Sequence, residues 1–510
     1  MTVEDAPPIV RRWPYLSVLP FAAALLVAAI TRLLYPFDGL YGQDAFAYFR
    51  FARSVWPHLR WGAPLADLYW PRGFPAAVAL LLPVFNGRPG AGQMVNTLAC
   101  AYAAGATCAL VRAVTMFTPQ RVAAIPAALV AGMAVALSGA VLRSSQVVMA
   151  DALGLALSAA TMLCAVRYAQ GGRGHWLVAC AFALAWGTVT RWMVGLLALP
   201  VALYLLLESR AVHAAPRSRR STVLWFVVAT TVALCILIPQ IIVAHAAPMS
   251  LEKHEWLQQW SLRNVFQRSF HTPEGQWVYR IPVGIFYLVR LGWPDYFFPT
   301  MGILAVVGLW AFWRAKWSAP AALLLGWLLV AWIFLSGIPY ESARFLLPTL
   351  PVVAALVGIG FGVLWRSARA ATRLLTLFGL VMSLAAGLVA GAGEHGMQVE
   401  RKAAQLDLVD WTVARVPRDA ELILWGPTLA FEYYGARHTH PLFTITEAEL
   451  QDLLSSQRKL FVLADVDNLE GQWKGMPPQQ HVAALRRNPG LSLIDHRQSY
   501  TLFAVGSALR

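Results

Sequence analysis

The residue whose type and position best suit catalysis in this chain is Asp44. It follows a first apolar run, 16–34, and stands in a segment, 41–53, that is rich in aromatic residues. On a helix, Asp44, Tyr48 and Phe51 share one face, because they are four and three residues apart. A carboxylate that aromatic rings partly desolvate has a raised pKa and can accept a proton from an incoming hydroxyl or orient it. A helix-capping or solvated aspartate fits the same pattern, and both interpretations stay open.

A second carboxylate, Asp151, stands near the start of the apolar run 149–168. An acid deep in a membrane costs roughly 2.5–3.5 kcal/mol to insert, so such residues usually face a polar cavity. Capping of the helix N-terminus, where the helix dipole favours negative charge, is the alternative. Asp151 is therefore a second candidate catalytic residue.

Three arginines are candidates for binding a phosphate group. Arg143, Arg191 and Arg344 each stand in a short connection between apolar runs. A guanidinium binds phosphate oxygens through two parallel hydrogen bonds and stabilises the charge that builds on a departing phosphate. Anchoring at the membrane interface, or pairing with an acid such as Glu341, is the alternative for these arginines.

The composition indicates that lipid must cover much of the surface around these residues. Of the 510 residues, 58% are hydrophobic and only 13% are charged, whereas a soluble protein carries roughly 25% charged residues. The formal net charge of +15 does not indicate a nucleic-acid groove. Arg falls in small clusters between apolar runs, as it does in the cytoplasmic loops of membrane proteins. The composition therefore predicts an α-helical polytopic membrane protein with no nucleic-acid partner.

About eleven segments are apolar and long enough to cross a hydrocarbon core, which takes about 20 residues. They are 16–34, 92–113, 121–142, 149–168, 175–190, 193–207, 222–245, 297–313, 319–337, 344–365 and 373–392. A further apolar stretch, 74–86, is too short for a crossing, and we interpret it as a re-entrant or interfacial helix.

The short loops give the orientation, because cytoplasmic loops carry an excess of Lys and Arg. With the N-terminus inside, the inner connections hold Arg112, Arg121, Arg167, Arg173, Arg210, Arg217, Arg219, Arg220, Arg314, Lys316, Arg366, Arg369 and Arg373. Two long outer loops follow, at about 35–92 and 246–294. Counting 74–86 as a crossing would invert this arrangement, so the charge pattern favours a topology without it.

The chain changes character after the last apolar segment. We predict a membrane domain over 1–392 and a small extracytoplasmic α/β domain over 393–510. The elements predicted in the second domain are buried strands at 422–425 and 460–463 and amphipathic helices near 447–455 and 480–487.

No metal ligand is predicted. In the C-terminal domain His438 and His440 flank a single Thr, and we interpret them as part of a surface loop, because the sequence clusters no further ligand nearby. Proton transfer by a carboxylate and phosphate binding by guanidinium groups need no cofactor, although both are compatible with a divalent metal.

Five segments, taken in order, resemble motifs of the GT-C membrane glycosyltransferases. The similarity is closest to the branch of protein O-mannosyltransferases, lipid A aminoarabinose transferases and related lipopolysaccharide glycosyltransferases. The segments are Asp44–Arg53, Tyr69–Pro75, Ser144–Leu153, Thr190–Trp192 and Tyr340–Pro348. No single motif is specific, but the ordered set, which covers about residues 15–390, is.

This resemblance implies a GT-C-like fold and an inverting transfer of sugar from a polyprenyl-phosphate donor. The acceptor is a hydroxyl of a glycan, lipid or protein at the outer face of the plasma membrane. Asp44 matches the family's base or acceptor-positioning group, and Tyr48 shares its helix face. Arg72 can supply the cation that relatives place there as Lys, which makes it a substrate-binding residue beside Arg143, Arg191 and Arg344.

One departure from the family pattern matters for mechanism. Many relatives carry a second acid directly after the first-loop aspartate, where this chain has Ala45, which argues against a two-carboxylate mechanism at that spot. A transporter or flippase for lipid-linked sugars and a catalytically inactive envelope scaffold are the alternatives. Transporters often show two related halves and midplane ionisable residues, and this sequence shows neither.

Overall fold

The structure is a computed structural model. It describes residues 15–115, 122–210, 219–246, 255–272, 275–297, 299–315, 318–424, 426–456, 458–471, 473–487 and 490–506. Three basic residues used for the predicted orientation, Arg121, Arg217 and Lys316, lie outside these ranges, as does position 425 of the first predicted strand.

The helices of the first 300 residues alternate with short connections. In chain order they are α1 Val18–Leu34, α2 Gly42–Trp61, α3 Gly73–Leu81, α4 Gly90–Thr115, α5 Ala124–Ala136, α6 Gly139–Gln146, α7 Asp151–Gly171, α8 Gly174–Thr188, α9 Trp192–Gly195, α10 Ala198–Ser209, α11 Arg219–Ala246, α12 Glu255–Gln258 and α13 Val283–Val289. A hairpin of β1 Ser269–Thr272 and β2 Gly275–Val278 precedes α13.

The remaining elements are longer helices followed by a mixture of strands and helices. They are α14 Pro299–Ala315, α15 Ser318–Gly337, the 3₁₀ helix Ala343–Thr349, α16 Leu350–Trp365, α17 Ala370–Val413, β3 Glu421–Leu424, α18 Thr428–Gly435, β4 His438–Pro441, α19 Glu447–Ser455, β5 Leu460–Asp465, α20 Val466–Glu470, α21 Pro477–Arg486, β6 Leu491–Arg497 and β7 Tyr500–Val505.

The chain divides into two compact units. The first, which we call the membrane unit, comprises Met1–Gly39, Tyr48–Phe266 and Pro282–Gly396. The second, which we call the sheet unit, comprises Leu40–Ala47, Gln267–Ile281 and Met397–Arg510. The predicted boundary after residue 392 falls within the continuous helix α17, and the predicted domain limits stay a prediction.

Within the described residues, seven helical stretches are long and apolar enough to cross a membrane. They are Gly90–Thr115, Asp151–Gly171, Trp192–Ser209, Arg220–His245, Ala319–Gly337, Ala343–Trp365 and Ala370–Val413. The pair α5 and α6, which is bent by 48°, forms an eighth if it is one span. Each of the eleven predicted segments overlaps a helix, and the chain is a multi-pass membrane protein. The number of crossings stays a prediction.

The short apolar stretch at 74–86 forms a helix that is too short to cross a membrane, as its length predicts. It forms α3, a helix of 9 residues, which at about 1.5 Å per residue is roughly 14 Å long. A hydrocarbon core is about 30 Å thick, so α3 alone is too short to cross it.

Glycines allow the central helix α16 to pack closely against its neighbours. All residues from Leu350 to Gly362 are buried, and a Cβ at Gly358 would collide with the backbone of α5. A Cβ at Gly360 would collide with α14 in the same way. Small residues at such contacts let backbones approach, which is how helices associate in a membrane without a hydrophobic driving force.

The sheet unit contains a five-stranded sheet in the order β4-β3-β5-β7-β6. Strands β4, β3 and β5 are parallel, whereas β7 pairs antiparallel with both β5 and β6. Alternation along β3 sends Leu422 and Leu424 to one core and Ile423 to the other. The predicted strands and helices of this region are confirmed as β3, β5, α19 and α21.

Candidate active site

An open, mostly apolar cleft lies in the membrane unit. It holds about 740 Å³ of empty space, part of which is open to the surroundings. Its walls include Trp70, Trp192, Trp256, Phe334, Phe345 and Pro348. Charged or hydroxyl-bearing side chains are few, namely Tyr48, Asp151, Thr190 and Arg191. An apolar surface with a few convergent polar groups suits a ligand with a hydrocarbon tail and a charged head.

The charged groups of the cleft are an ion pair between Asp151 and Arg191. Asp151 begins α7 and is only 3% exposed, and its Oδ1 accepts a hydrogen bond from Nη2 of Arg191. The Arg191 guanidinium also lies 5.3 Å from the ring centroid of Phe345. Ala150 occupies the N-cap of α7, so helix capping does not account for the contact that Asp151 makes.

Two buried hydrogen-bonding groups flank Arg191 in sequence. Neither Oγ1 of Thr190 nor Nε1 of Trp192 has a hydrogen-bond partner among the described residues, although solvent reaches neither atom. A buried polar group without a partner costs roughly 1–3 kcal/mol, so such groups call for an explanation. Both residues line the cleft, and a ligand with hydrogen-bonding oxygens would satisfy them.

The turn that carries Thr190 is held against α3 by a close backbone approach at Gly73. The Gly73 N–H donates to the carbonyl of Val189 at 2.7 Å, and a Cβ at Gly73 would lie 2.6 Å from Oγ1 of Thr190. No other residue type fits there without displacing the turn. This explains the glycine in the predicted motif at 69–75, since its position fixes Thr190 at the cleft.

The first-loop residues Tyr48 and Arg72 lie in or next to the cleft wall. Tyr48 is buried and packs edge-to-face on Phe74 with ring centroids 5.3 Å apart. The guanidinium of Arg72, whose neighbour Pro71 lines the cleft, lies 5.0 Å from the ring centroid of Phe51. Burial lowers the pKa of Arg72, and the carboxylate of Asp67 partly offsets that effect. A partly desolvated cation of this kind binds an anion more strongly than a solvated one.

A carboxylate that the sequence indicated only as an arginine partner, Glu341, stands in the segment before the 3₁₀ helix. Burial raises its pKa from the ordinary value near 4.5 to about 7, and its Oε1 has no hydrogen-bond partner in the described part of the chain. The neighbouring ring of Tyr340 stacks on Trp256 of the cleft wall at 4.3 Å. A carboxylate that titrates near neutral pH can act as a general base.

Arg344 follows three residues later and is half-buried. Its Nη1 lies 3.4 Å from the sulfur of Met149, and its guanidinium lies 5.5 Å from the ring centroid of Phe345. Phe345 belongs to the cleft wall, so Arg191 and Arg344 contact the same ring. Glu341 is the acid predicted as the alternative partner of Arg344, and its Oε1 has no hydrogen-bond partner in the described part of the chain.

Asp44 belongs to the sheet unit and lies in the first turn of α2, where the helix dipole stabilises a carboxylate. Its neighbour Gln43 is tied to the turn before α18, because its Nε2 donates to the carbonyl of Gly426 and to Oγ1 of Thr428. Phe46, two residues after Asp44, packs on Tyr434 with ring centroids 5.8 Å apart. These contacts hold the first turn of α2 in place.

Arg143 lies in a separate, closed cluster of charges in the membrane unit. It forms ion pairs with Glu394 and Asp295, and Arg290 contacts the same two carboxylates. Two cations thus face two anions. Of the predicted site residues, the structure brings Tyr48, Asp151 and Arg191 to the cleft wall, and it places Arg143 in this other cluster. The roles of all seven predicted residues stay predictions.

Sequence reasoning missed three polar residues of this region as site candidates. Thr190 and Trp192 lie in a quoted motif in which only Arg191 was chosen, because no sequence pattern shows which polar atoms remain unbonded. Glu341 was predicted only as a partner of an arginine. Its position three residues before Arg344, which begins the Arg-Phe-Leu-Leu-Pro segment, was the available signal.

Comparison with known proteins agrees with the motifs. A family model described as dolichyl-phosphate-mannose-protein mannosyltransferase matches residues 75–243, which is less than half of the chain. That range contains Asp151, Thr190 and Arg191. A sequence search of curated proteins finds no match.

Solved structures resemble nearly the whole chain. ArnT from Cupriavidus metallidurans bound to undecaprenyl phosphate has a TM-score of 0.65 at 14% identity, over 96% of this chain and 98% of that one. The apo state of the same protein gives 0.60 at 15%, over 96% and 97%. The archaeal oligosaccharyltransferase AglB from Archaeoglobus fulgidus, in complex with an inhibitory peptide and a dolichol-phosphate, gives 0.57 at 12%, over 89% and 70%. The predicted GT-C-like fold and the resemblance to GT-C membrane glycosyltransferases are thereby confirmed.

Proposed function

We propose that this chain, which has the fold and the ordered motifs of the GT-C membrane glycosyltransferases, is a glycosyltransferase that uses a polyprenyl-phosphate sugar. The observation that carries the proposal is the cleft in the membrane unit. It combines an apolar wall with the Asp151–Arg191 pair and with the unbonded donors of Thr190 and Trp192. The proposal draws further support from the structural likeness to a protein solved with undecaprenyl phosphate.

The apolar wall receives the isoprenoid tail, and the polar groups receive the phosphate. Asp151 occupies one nitrogen of Arg191 and fixes the orientation of the guanidinium, which presents its other N–H groups to phosphate oxygens. Asp151 thereby acts as a positioning residue in addition to being a candidate catalytic acid. Arg344 and Arg72 add positive charge, and guanidinium groups neutralise the leaving phosphate without requiring a metal ion.

The acceptor hydroxyl attacks the anomeric carbon while the bond from that carbon to the phosphate oxygen breaks. Asp44 takes the proton of the hydroxyl or orients it, and Tyr48 borders the substrate. A single direct displacement inverts the configuration of the sugar carbon. The acceptor is a glycan, a lipid or a protein.

The reaction takes place at the outer face of the plasma membrane. Support comes from the charge pattern, because the described basic clusters fall on one side of the predicted topology and Arg191 and Arg344 on the other. A cysteine introduced at Ser455 of an otherwise cysteine-free variant tests this orientation. A membrane-impermeant maleimide should label it in intact cells, and labelling only after lysis would contradict the proposal.

The experiment that tests the activity measures sugar transfer from a panel of radiolabelled polyprenyl-phosphate sugars, with purified protein and an acceptor-rich membrane extract. Wild-type protein should consume one donor, and the variants Asp44→Asn and Arg344→Ala should each lose most of that turnover. Arg314→Ala is the matched control, because Arg314 also lies over an aromatic ring, that of Trp310, but does not line the cleft. If wild type consumes no donor, the enzyme proposal fails, and uptake of the same lipids into vesicles then tests the transporter alternative.

A further inference from the structure

Glu421, His438 and His440 come together on one face of the sheet unit, on two neighbouring strands. Strand β4 is an edge strand and pairs in parallel with β3, with Glu421 opposite His438 in the register. Side chains two residues apart on a strand point to the same face, so both histidines lie on the face of Glu421. The prediction that the two histidines form a surface loop without a further ligand nearby is wrong. They lie in a strand, and Glu421, which is distant in sequence, completes the group.

The donor atoms of these residues are close enough to share one ion. One ligand atom from each lies within 4.8 Å of the other two, and Nε2 of His440 lies 2.7 Å from Oε2 of Glu421. The two imidazole rings are 4.8 Å apart, centroid to centroid. A tetrahedral zinc ion with ligands at about 2.0–2.1 Å needs its ligand atoms roughly 3.4 Å apart. Rotations of the exposed His438 and of the half-buried His440 would bring the three atoms to that spacing.

We propose that Glu421, His438 and His440 form a binding site for a divalent transition-metal ion of the zinc class. Two imidazoles and one carboxylate are a known zinc ligand set, and they leave the fourth position open for water. The ion would cross-link the edge strand β4 to its neighbour β3 through their side chains, and its binding free energy would stabilise this edge of the sheet.

Arg458 competes with the ion for the same carboxylate. Its Nη1 donates to both oxygens of Glu421, at 2.9 and 3.1 Å. The Arg458 side chain is 57% exposed, so it can move into solvent when the ion binds. This competition distinguishes a metal site from a structural ion pair. Removal of Arg458 should raise the affinity of a metal site for its ion, whereas it would destabilise a structural ion pair.

The test is a titration of the full-length protein in detergent with Co²⁺, prepared without a polyhistidine tag. Wild type should bind one equivalent and develop the visible absorption band of tetrahedral Co²⁺, and Zn²⁺ should abolish that band. His438→Ala and His440→Ala should each weaken binding at least tenfold, whereas Arg458→Ala should tighten it. His496→Ala is the matched control, because His496 lies on β6, the outer strand at the other edge of the sheet.

Thermal unfolding gives a second readout that does not depend on colour. Added Zn²⁺ should raise the Tm of wild type through linkage of binding to folding, and it should leave the Tm of the His438→Ala/His440→Ala double variant unchanged. The proposal is overturned if wild type and the double variant bind Co²⁺ equally. It is also overturned if Arg458→Ala loses whatever binding wild type has. Circular dichroism confirms that each variant is folded.

Discussion

The membrane unit contains two clusters in which arginines pair with carboxylates. Each cluster includes an arginine for which the sequence predicted phosphate binding. In the first, Arg143 and Arg290 face Asp295 and Glu394. In the second, Arg191 faces Asp151. The clusters look alike in sequence, because in both cases an arginine stands in a short connection between apolar runs.

The difference between them lies in what surrounds the charges. Both terminal nitrogens of Arg143 face carboxylates, so its charge is satisfied within the protein. Asp151 engages one nitrogen of Arg191, and the residues on either side of Arg191 carry unbonded polar atoms that border a cleft. On the proposed function, the incompletely hydrogen-bonded surroundings of Arg191 are what distinguish it from Arg143 as a ligand site. Charge and position alone do not mark one.

Close helix packing accompanies the first cluster. The backbone of Asp295 accepts hydrogen bonds from the Ala140 N–H at 2.7 Å and from the Ser138 hydroxyl at 3.3 Å. A Cβ at Gly139 would collide with Gly387 and Gly391 of α17. The break between α5 and α6 is therefore held by backbone contacts and by charges together, which is typical of a structural element.

The largest effect is expected when the first cluster is opened. Asp295→Ala leaves Arg290, only 7% exposed, without its partner at 2.6 Å. Breaking a buried ion pair by removing one member costs roughly 3–5 kcal/mol, a large part of a typical folding free energy of about 5–15 kcal/mol. Thermal melts in detergent should show a strongly lowered Tm. Asp452→Ala, at an exposed helix position, is the control, and equal melting of the two variants would show that the first cluster is not structural.

The second prediction separates the two arginines by activity. Arg191→Lys keeps the charge but removes the planar fork that binds phosphate bidentately. Turnover of the lipid donor should therefore fall on the order of 10- to 100-fold. The upper end of that range matches the loss that follows removal of one hydrogen-bond donor that stabilises a transition state. Arg143 faces carboxylates and not the cleft. Arg143→Lys removes no phosphate-binding fork there and should change turnover by less than about threefold. Donor turnover at saturating acceptor gives the comparison. Similar losses in both variants would mean that the two clusters do not differ in function.

A third prediction uses the unbonded hydroxyl of Thr190, which is fully buried. Thr190→Val removes an unsatisfied polar group at nearly constant volume, so the ligand-free protein should become more stable, by about 1 kcal/mol. Binding of the lipid donor should weaken about 3- to 10-fold, because the bound phosphate loses a hydrogen bond. The variant should thus gain stability without the ligand and lose affinity for the donor. Thr188→Val is the control, because Thr188 already donates to the Leu184 carbonyl, and a fall in ligand-free Tm for Thr190→Val would contradict the proposed role.

The fold could be predicted further than the site. Helices and strands follow from local hydrophobic periodicity, which is why α4, α7, β3 and β5 fall where the apolar patterns place them. The partners of Arg143 could not be predicted, because Glu394 and Asp295 lie far along the chain and meet it only through helix packing.

The same reason explains what was missed elsewhere. Glu421 joins His440 across 19 residues because β3 and β4 are parallel neighbours, a register that no local pattern gives. The unbonded state of Thr190 depends on the turn that Gly73 holds in place. The sequence identifies residue types that could do chemistry. Whether neighbouring groups satisfy their hydrogen bonds and charges depends on tertiary packing.

The last and smallest effect concerns Glu341, for which the described part of the chain provides no stabilising cation. Burial raises its pKa from the ordinary value near 4.5 to about 7. Between pH 4.5 and pH 7 the folded protein therefore binds more protons at this position than the unfolded chain does. Stability therefore falls as the pH rises through that window and stays lower above it. Because the side chain is partly exposed, the effect should be on the order of 1 kcal/mol or less.

Glu341→Gln tests this effect, since the amide cannot ionise. The Tm of the variant relative to wild type should rise between about pH 5 and about pH 8, whereas Glu400→Gln, at an exposed position of α17, should show no such trend. A flat difference between Glu341→Gln and wild type would mean that a cation or solvent compensates the charge of Glu341. In that case Glu341 would resemble Asp151 with its arginine, and the contrast between satisfied and unsatisfied groups would rest on Thr190 and Trp192 alone.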